Sequence, residues 1–351
     1  MLSTFLDKAS GLLNRRFLVA YWFPTFIAAV LAVLLRVWVY GVDASWRWWS
    51  RWVPTEDYAG EGSVQIWLFV GGLLLVTLIA YILQAFTRPL VQFYEGYYLP
   101  QRLRRWMTRR VERRWRRLRQ ERTEAARQSD LAQYAHVQDR LHNEYPDQAW
   151  LLLPTRLGNV LRSAERYSIR AYGMDAAFWW PRLWPLLPEK IQQEFEEVLT
   201  LMLALLNLVT LMVYVTIDSA IYLSYCQIEN KEWVMLGVLV VGLLVVAVAY
   251  QGATAQARSY GQQIRSAVDL HRFELFKAMH YALPDTPQEE QALWGQLSQW
   301  LYNEDRGAAR KLTYDHGKKE QLEAQAKNAG KTTKAKGDSF WEFLKRLWCQ
   351  H

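Results

Sequence analysis

Apolar residues gather in four long blocks along this chain, and the stretches between them are polar, most with helical spacing. The blocks run Phe17 to Leu35, Val64 to Phe86, Val198 to Ile217 and Trp233 to Tyr250. Each is close to the ~20 residues a helix needs to cross ~30 Å of hydrocarbon. The second and fourth hold no charge and show no polar face, which a helix of a soluble protein normally has. The pattern predicts an all-α, polytopic membrane protein with four transmembrane helices and helical extensions in the cytoplasm.

The rest of the pattern divides the chain further. Residues 1–16 place Leu2, Phe5, Leu6, Leu12 and Leu13 near one side and read as an interfacial amphipathic segment. Residues 17–86 are the first transmembrane pair, 87–197 an Arg-rich helical region, and 198–250 the second pair. Residues 251–305 read as a helical hairpin, with Asp285 or Thr286 capping a helix that starts at Pro287. Residues 306–338 are polar and Lys-rich, a flexible linker. Residues 339–351 form a tethered amphipathic helix, opened by the capping box of Ser339 and Glu342.

Charge sets the direction. Residues 1–16 carry Lys8, Arg15 and Arg16 against Asp7, whereas 41–63 carry two arginines against four acids. Positive flanks stay in the cytoplasm, so both termini and the 87–197 region are expected there, in a plasma membrane, and a bacterial inner membrane fits best. The first block follows Arg15 and Arg16 but lacks a small-residue cleavage site, which predicts a retained anchor and not an export signal.

Of 42 basic residues 30 are arginine, and 19 of those fall between 88 and 182. Ten lie in residues 101–119, where Glu112 is the lone acid. There Leu103, Trp106, Met107, Val111, Trp115 and Leu118 step by three or four, and Tyr134, Val137 and Leu141 extend the stripe. One long helix is expected from about Leu99 to about His142, continuing the second span past a bend at Pro89 or Pro100. Its arginines, Arg102, Arg104, Arg105, Arg109, Arg110, Arg113, Arg114, Arg116 and Arg117, are candidate contacts for anionic lipid or for a soluble anion. No nucleic-acid motif accompanies them, so that partner is not expected.

Within the spans, Asn207, Thr210, Tyr214 and Asp218 step by three and four and form one polar stripe on the third block. Arg36, at similar depth in the first block, is placed to pair with Asp218. The stripe is a candidate polar path. Pro24 is expected to kink the first span. The prolines and tryptophans of 179–188 suggest broken helix lying on the membrane surface, with Trp179, Trp180 and Trp184 at headgroup level. Seven charged residues nearby, Arg156, Arg162, Glu165, Arg166, Arg170, Asp175 and Arg182, are a weaker candidate site. Glu194, Glu196 and Glu197 are placed to pair with the arginine helix.

The remaining chemistry is negative. Cys226 and Cys349 make neither a zinc cluster nor a CxxC pair, and the six histidines lack metal-ligand spacing. No nucleotide-binding or hydrolase motif occurs, so neither a cofactor nor an enzyme is expected. The first functional reading is an oligomeric channel, a homo-oligomer with a basic cytoplasmic mouth. The alternative is a non-conducting scaffold or signalling anchor that recruits a cytoplasmic protein, with Phe340, Phe343, Leu344, Leu347 and Trp348 as the docking face. A membrane-embedded lipid-acting enzyme comes third.

Overall fold

The computed structural model describes residues 14–50, 60–225, 231–304, 307, 312 and 314. The 1–13 part of the interfacial segment, nearly all of the 306–338 linker, the end helix with Phe340 to Trp348, and both cysteines lie outside the described residues. The described chain is helical, with an isolated antiparallel bridge between Tyr281 and Tyr314.

Three helices are long and apolar enough to cross a membrane. The first begins with an α-helical turn, Arg15–Phe17, passes through a π-helical turn, Leu18–Trp22, and continues as α1, Phe23–Ser50. Pro24 explains the wide turn. It has no N–H to offer the Ala20 carbonyl four residues back. The side chain of Asn207, fully buried on the third span, donates to that carbonyl at 2.8 Å. The expected kink is therefore a π turn whose orphaned acceptor is satisfied by a neighbouring helix, as hydrocarbon requires.

The block at 64–86 forms α2, Gly60–Ala85, then turns through 61° at Phe86 into α3, Thr87–Glu95. The two helices pass the apolar test only as a bent pair. The bend falls at neither expected proline. Pro89 sits within the first turn of α3, where its missing N–H costs nothing, and Pro100 caps α4, Gln101–Arg127. Gly96 ends α3 with φ 94°, and Pro154 packs against its Cα side.

The expected single helix to His142 is two helices. Ser129 adopts φ 56°, and Asp130 caps α5, Leu131–Glu144, by accepting from the Gln133 amide at 2.9 Å. The chain folds back, so Trp115 and Leu118 of α4 pack on Val137 and Leu141 of α5 and on Leu152. Part of the apolar stripe therefore closes on itself across a hairpin, while Leu103, Trp106 and Tyr134 stay exposed.

Next come α6, Arg156–Tyr172, the short α7, Ala176–Leu183, and α8, Glu189–Tyr225. The last long helix, α9, runs Lys231–Ala278, about 72 Å at 1.5 Å per residue. Only ~30 Å of that is needed to span hydrocarbon. The excess of α9 and the first turns of α8 enter a helical domain closed by α10, Pro287–Asn303, capped by Thr286. Its core joins Trp179, Leu183, Phe195, Val268, Phe276, Trp294 and Leu297. Trp179 and Trp294 are both fully buried, 5.1 Å apart between ring centroids. The expectation that Trp179 anchors at a headgroup surface is therefore wrong: α7 turns Ala176, Trp179 and Leu183 into the core of this domain.

Small residues allow that interior to close. Ala253, Ala257 and Gly261 follow at intervals of four on α9 and admit α6; a Cβ on Gly261 would stand 3.0 Å from that of Ala164. Between α8 and α9, Gly242 lies directly over Thr216.

Candidate functional site

The four polar groups of the third span do not act together within one chain. Asn207 serves the first span, as above, and its Oδ1 is buried without a partner among the described residues. Thr210 donates to its own helix at Leu206 and shares a 2.9 Å hydrogen bond with Tyr94 of α3. Tyr214 is exposed. Asp218 accepts from Arg36 at 2.6 Å, and the guanidinium lies 5.1 Å from the Tyr222 ring centroid. The stripe thus stitches α8 to α1, α3 and the π turn.

The charged residues of the middle region are also dispersed. Arg162 bonds Glu165 and the Tyr97 hydroxyl, Arg182 bonds the Phe178 carbonyl, and Asp175 caps α7. Glu197 reaches Arg15 at 3.8 Å and not the arginines of α4.

A buried polar network sits between α5, α6, α9 and α10. Glu144 takes ion pairs from Arg156 at 3.2 Å and Arg258 at 2.7 Å. Arg265 donates to the His142 carbonyl at 2.8 Å, to Ser163 at 2.9 Å and to Asn143. Asp269 accepts from Tyr167 and Tyr172, and Arg272 pairs with Glu290 at 2.8 Å. Burial, with Arg265 and Arg170 close by, holds the His142 imidazole below its ordinary range. The signal was present in the sequence: Arg258, Arg265 and Arg272 are seven apart and so share one face of α9.

The open charge lies elsewhere. All nine candidate arginines of α4 are exposed. Some have local partners: Arg116 pairs with Glu112 at 2.6 Å, and Arg110 stacks on Trp106 at 3.9 Å. Arg114 and Arg117 have no ion pair or hydrogen bond among the described residues. They form one wall of a cleft of about 500 Å³ between α4, α5 and the start of α6. Arg140, Arg156 and Tyr145 face them, with Glu121 and Glu144 also lining the space. Burial and Glu144 push the Tyr145 phenol up, while Arg114, Arg140 and Arg156 pull it the other way. A second groove of about 350 Å³ shares Arg114 and Arg117 and adds Arg110 and Arg113. The arginines are legible in the sequence but the cleft is not, because its far wall depends on the turn at Ser129.

No group of His, Cys, Asp and Glu suited to a metal occurs among the described residues. No protein family model, curated protein or solved structure matches this chain.

Proposed function

We propose that this is a four-pass membrane anchor, non-conducting and non-enzymatic, that fixes a helical domain to the inner face of a plasma membrane. Both termini lie in the cytoplasm on this reading, and the domain presents a basic surface to anionic lipid while recruiting a protein partner. The observation that carries the proposal is continuity. The helices α8 and α9 pass without a break from apolar spans into the domain core that holds Phe195, Val268 and Phe276. A domain so connected cannot swivel on a linker; it is held at fixed height and orientation.

Two further features support it. Phe86, Phe93, Tyr97, Tyr98, Leu103 and Trp106 are exposed just past the bend, among the first arginines of α4. Aromatic rings beside basic residues suit a membrane interface. The pore reading draws less support, since Asn207, Thr210 and Asp218 hydrogen-bond within one chain, which leaves Tyr214 to line a path.

Ion flux decides between them. Purified protein in liposomes is expected to leak no more than empty vesicles across a range of potentials. A current that Asp218→Asn alters would overturn the anchor reading and restore the pore.

A further inference from the structure

We infer that the cleft between α4, α5 and the start of α6 is a binding site for a phosphate-bearing group, carried either by a lipid headgroup or by a small soluble molecule. The inference goes beyond the anchor reading and does not depend on it.

Four guanidiniums line the cleft against two carboxylates, and one of those, Glu144, is already paired with Arg156 and Arg258. Arg114 and Arg117, together with Arg140 opposite, have no ion pair or hydrogen bond among the described residues. Tyr145 adds a hydroxyl with no hydrogen bond among the described residues. Guanidiniums carried by α4 and α5, with the Tyr145 hydroxyl in the same lining, suit the tetrahedral oxygens of phosphate, which arginine binds in pairs of parallel bonds. A carboxylate ligand would use one such fork. The α6 helix begins at the same place, so its positive end adds to the field. The cavity falls within the ~300–1,000 Å³ of small-molecule sites, ample for a headgroup. The neighbouring groove, sharing Arg114 and Arg117, offers room for a second phosphate.

Position favours a ligand at the membrane. Pro154, in the cleft wall, packs on Gly96 at the end of α3, ten residues after the bend at Phe86. Leu157, one residue after Arg156, donates from its amide to the Tyr250 hydroxyl at the end of the fourth apolar block. The cleft lining is thus tied through Pro154 to the end of α3, and through the residue after Arg156 to Tyr250 of α9. Lys at Arg114 and Arg117 would keep the charge and lose the fork, so charge and geometry are separable.

The test uses the full chain in nanodiscs of neutral phosphatidylcholine. In one arm, pyrophosphate is titrated calorimetrically; in the other, a minor fraction of phosphatidic acid is included and lipid retained on the protein is counted by native mass spectrometry. Saturable binding in either arm is expected. It should weaken about tenfold or more in Arg114→Gln/Arg117→Gln and several-fold in the paired Lys variant. It should stay unchanged in Arg127→Gln/Lys190→Gln, which removes equal charge from exposed positions outside the cleft. Pyrophosphate binding with this dependence assigns a soluble ligand. Phosphatidic acid retention with it, and no pyrophosphate binding, assigns a lipid headgroup. Equal loss in both Gln pairs means diffuse attraction and overturns the site, as does binding of neither probe by unmutated protein. All four replaced side chains are exposed, so unchanged thermal unfolding of the variants separates lost binding from lost fold. Ion flux leaves this outcome untouched, so the two readings fail separately.

Discussion

Ten arginines crowd α4 between residues 102 and 119, while α9 carries three, at 258, 265 and 272. The ten stand mostly in the open and reach at most a neighbour on their own helix or a nearby carbonyl. The three point inward, and each fastens a different part of the domain: Arg258 to Glu144 of α5, Arg265 to Ser163 of α6 and the His142 carbonyl, Arg272 to Glu290 of α10. The dense cluster is free to meet an external anion, whereas the sparse one is committed to the fold. Charge density along a chain therefore says little about which charges hold the structure; burial and partners decide that.

The sharpest way to break this contrast is to remove one member of each set. Arg272→Leu leaves the Glu290 carboxylate buried with, among the described residues, only the Trp294 indole N–H donating to it. A loss of about 3–5 kcal/mol is expected from an uncompensated buried charge, read as unfolding in detergent. Arg102→Gln or Arg105→Gln should shift the same measurement by less than about 0.5 kcal/mol. Similar effects from both would abolish the distinction.

Packing gives the next largest effect. Gly261→Leu forces bulk against Ala164 where α6 meets α9 and should cost about 1–3 kcal/mol. Gly295→Ala, with open space around its Cβ, should be neutral or gain about 0.5–1 kcal/mol from helix preference. The membrane half should respond more weakly. A double-mutant cycle on Arg36→Met and Asp218→Asn is expected to give a coupling of about 0.6–1.7 kcal/mol, the range for polar contacts between spans. No coupling would mean that lipid or water replaces the pair.

A pH effect sharpens the comparison within the inward-facing set. Arg265 and Arg170 lie against His142, whose imidazole is held below its usual 6.5 by burial first and then by those cations. The fold therefore prefers the neutral ring. Its contribution is fully present above about pH 6.5 and is lost as pH falls through the lowered folded value. Stability measured from pH 7 downward should decline less steeply in His142→Asn than in the unmodified protein. Identical slopes would remove His142 from the acid response.

Much of the membrane half was legible from residue type alone. Four apolar blocks of spanning length leave little choice but helices, because every backbone group in hydrocarbon must be bonded within its own segment. The cap at Thr286 follows from local chemistry. The pairing of Arg36 with Asp218 could be placed from depth, since helical rise is fixed. The hairpin between α4 and α5 was not legible. It hangs on Ser129 in the left-handed region, a conformation that sequence does not mark at a serine. The tryptophans misled for a different reason: an indole ring suits a wet interface or a dry core equally, and only its neighbours choose.

By itself, then, the sequence determined an all-helical chain, its apolar spans, the cap at Thr286 and the location of its charge. These depend on hydrogen bonding and hydrophobicity within a few turns. Only the tertiary structure decided which arginines are buried, that Asn207 answers the carbonyl orphaned by Pro24, and that Arg114, Arg117, Arg140 and Arg156 surround one cleft. Those facts join residues from 16 to 187 positions apart. Their distances are set by the packing of whole helices, and no local pattern encodes them.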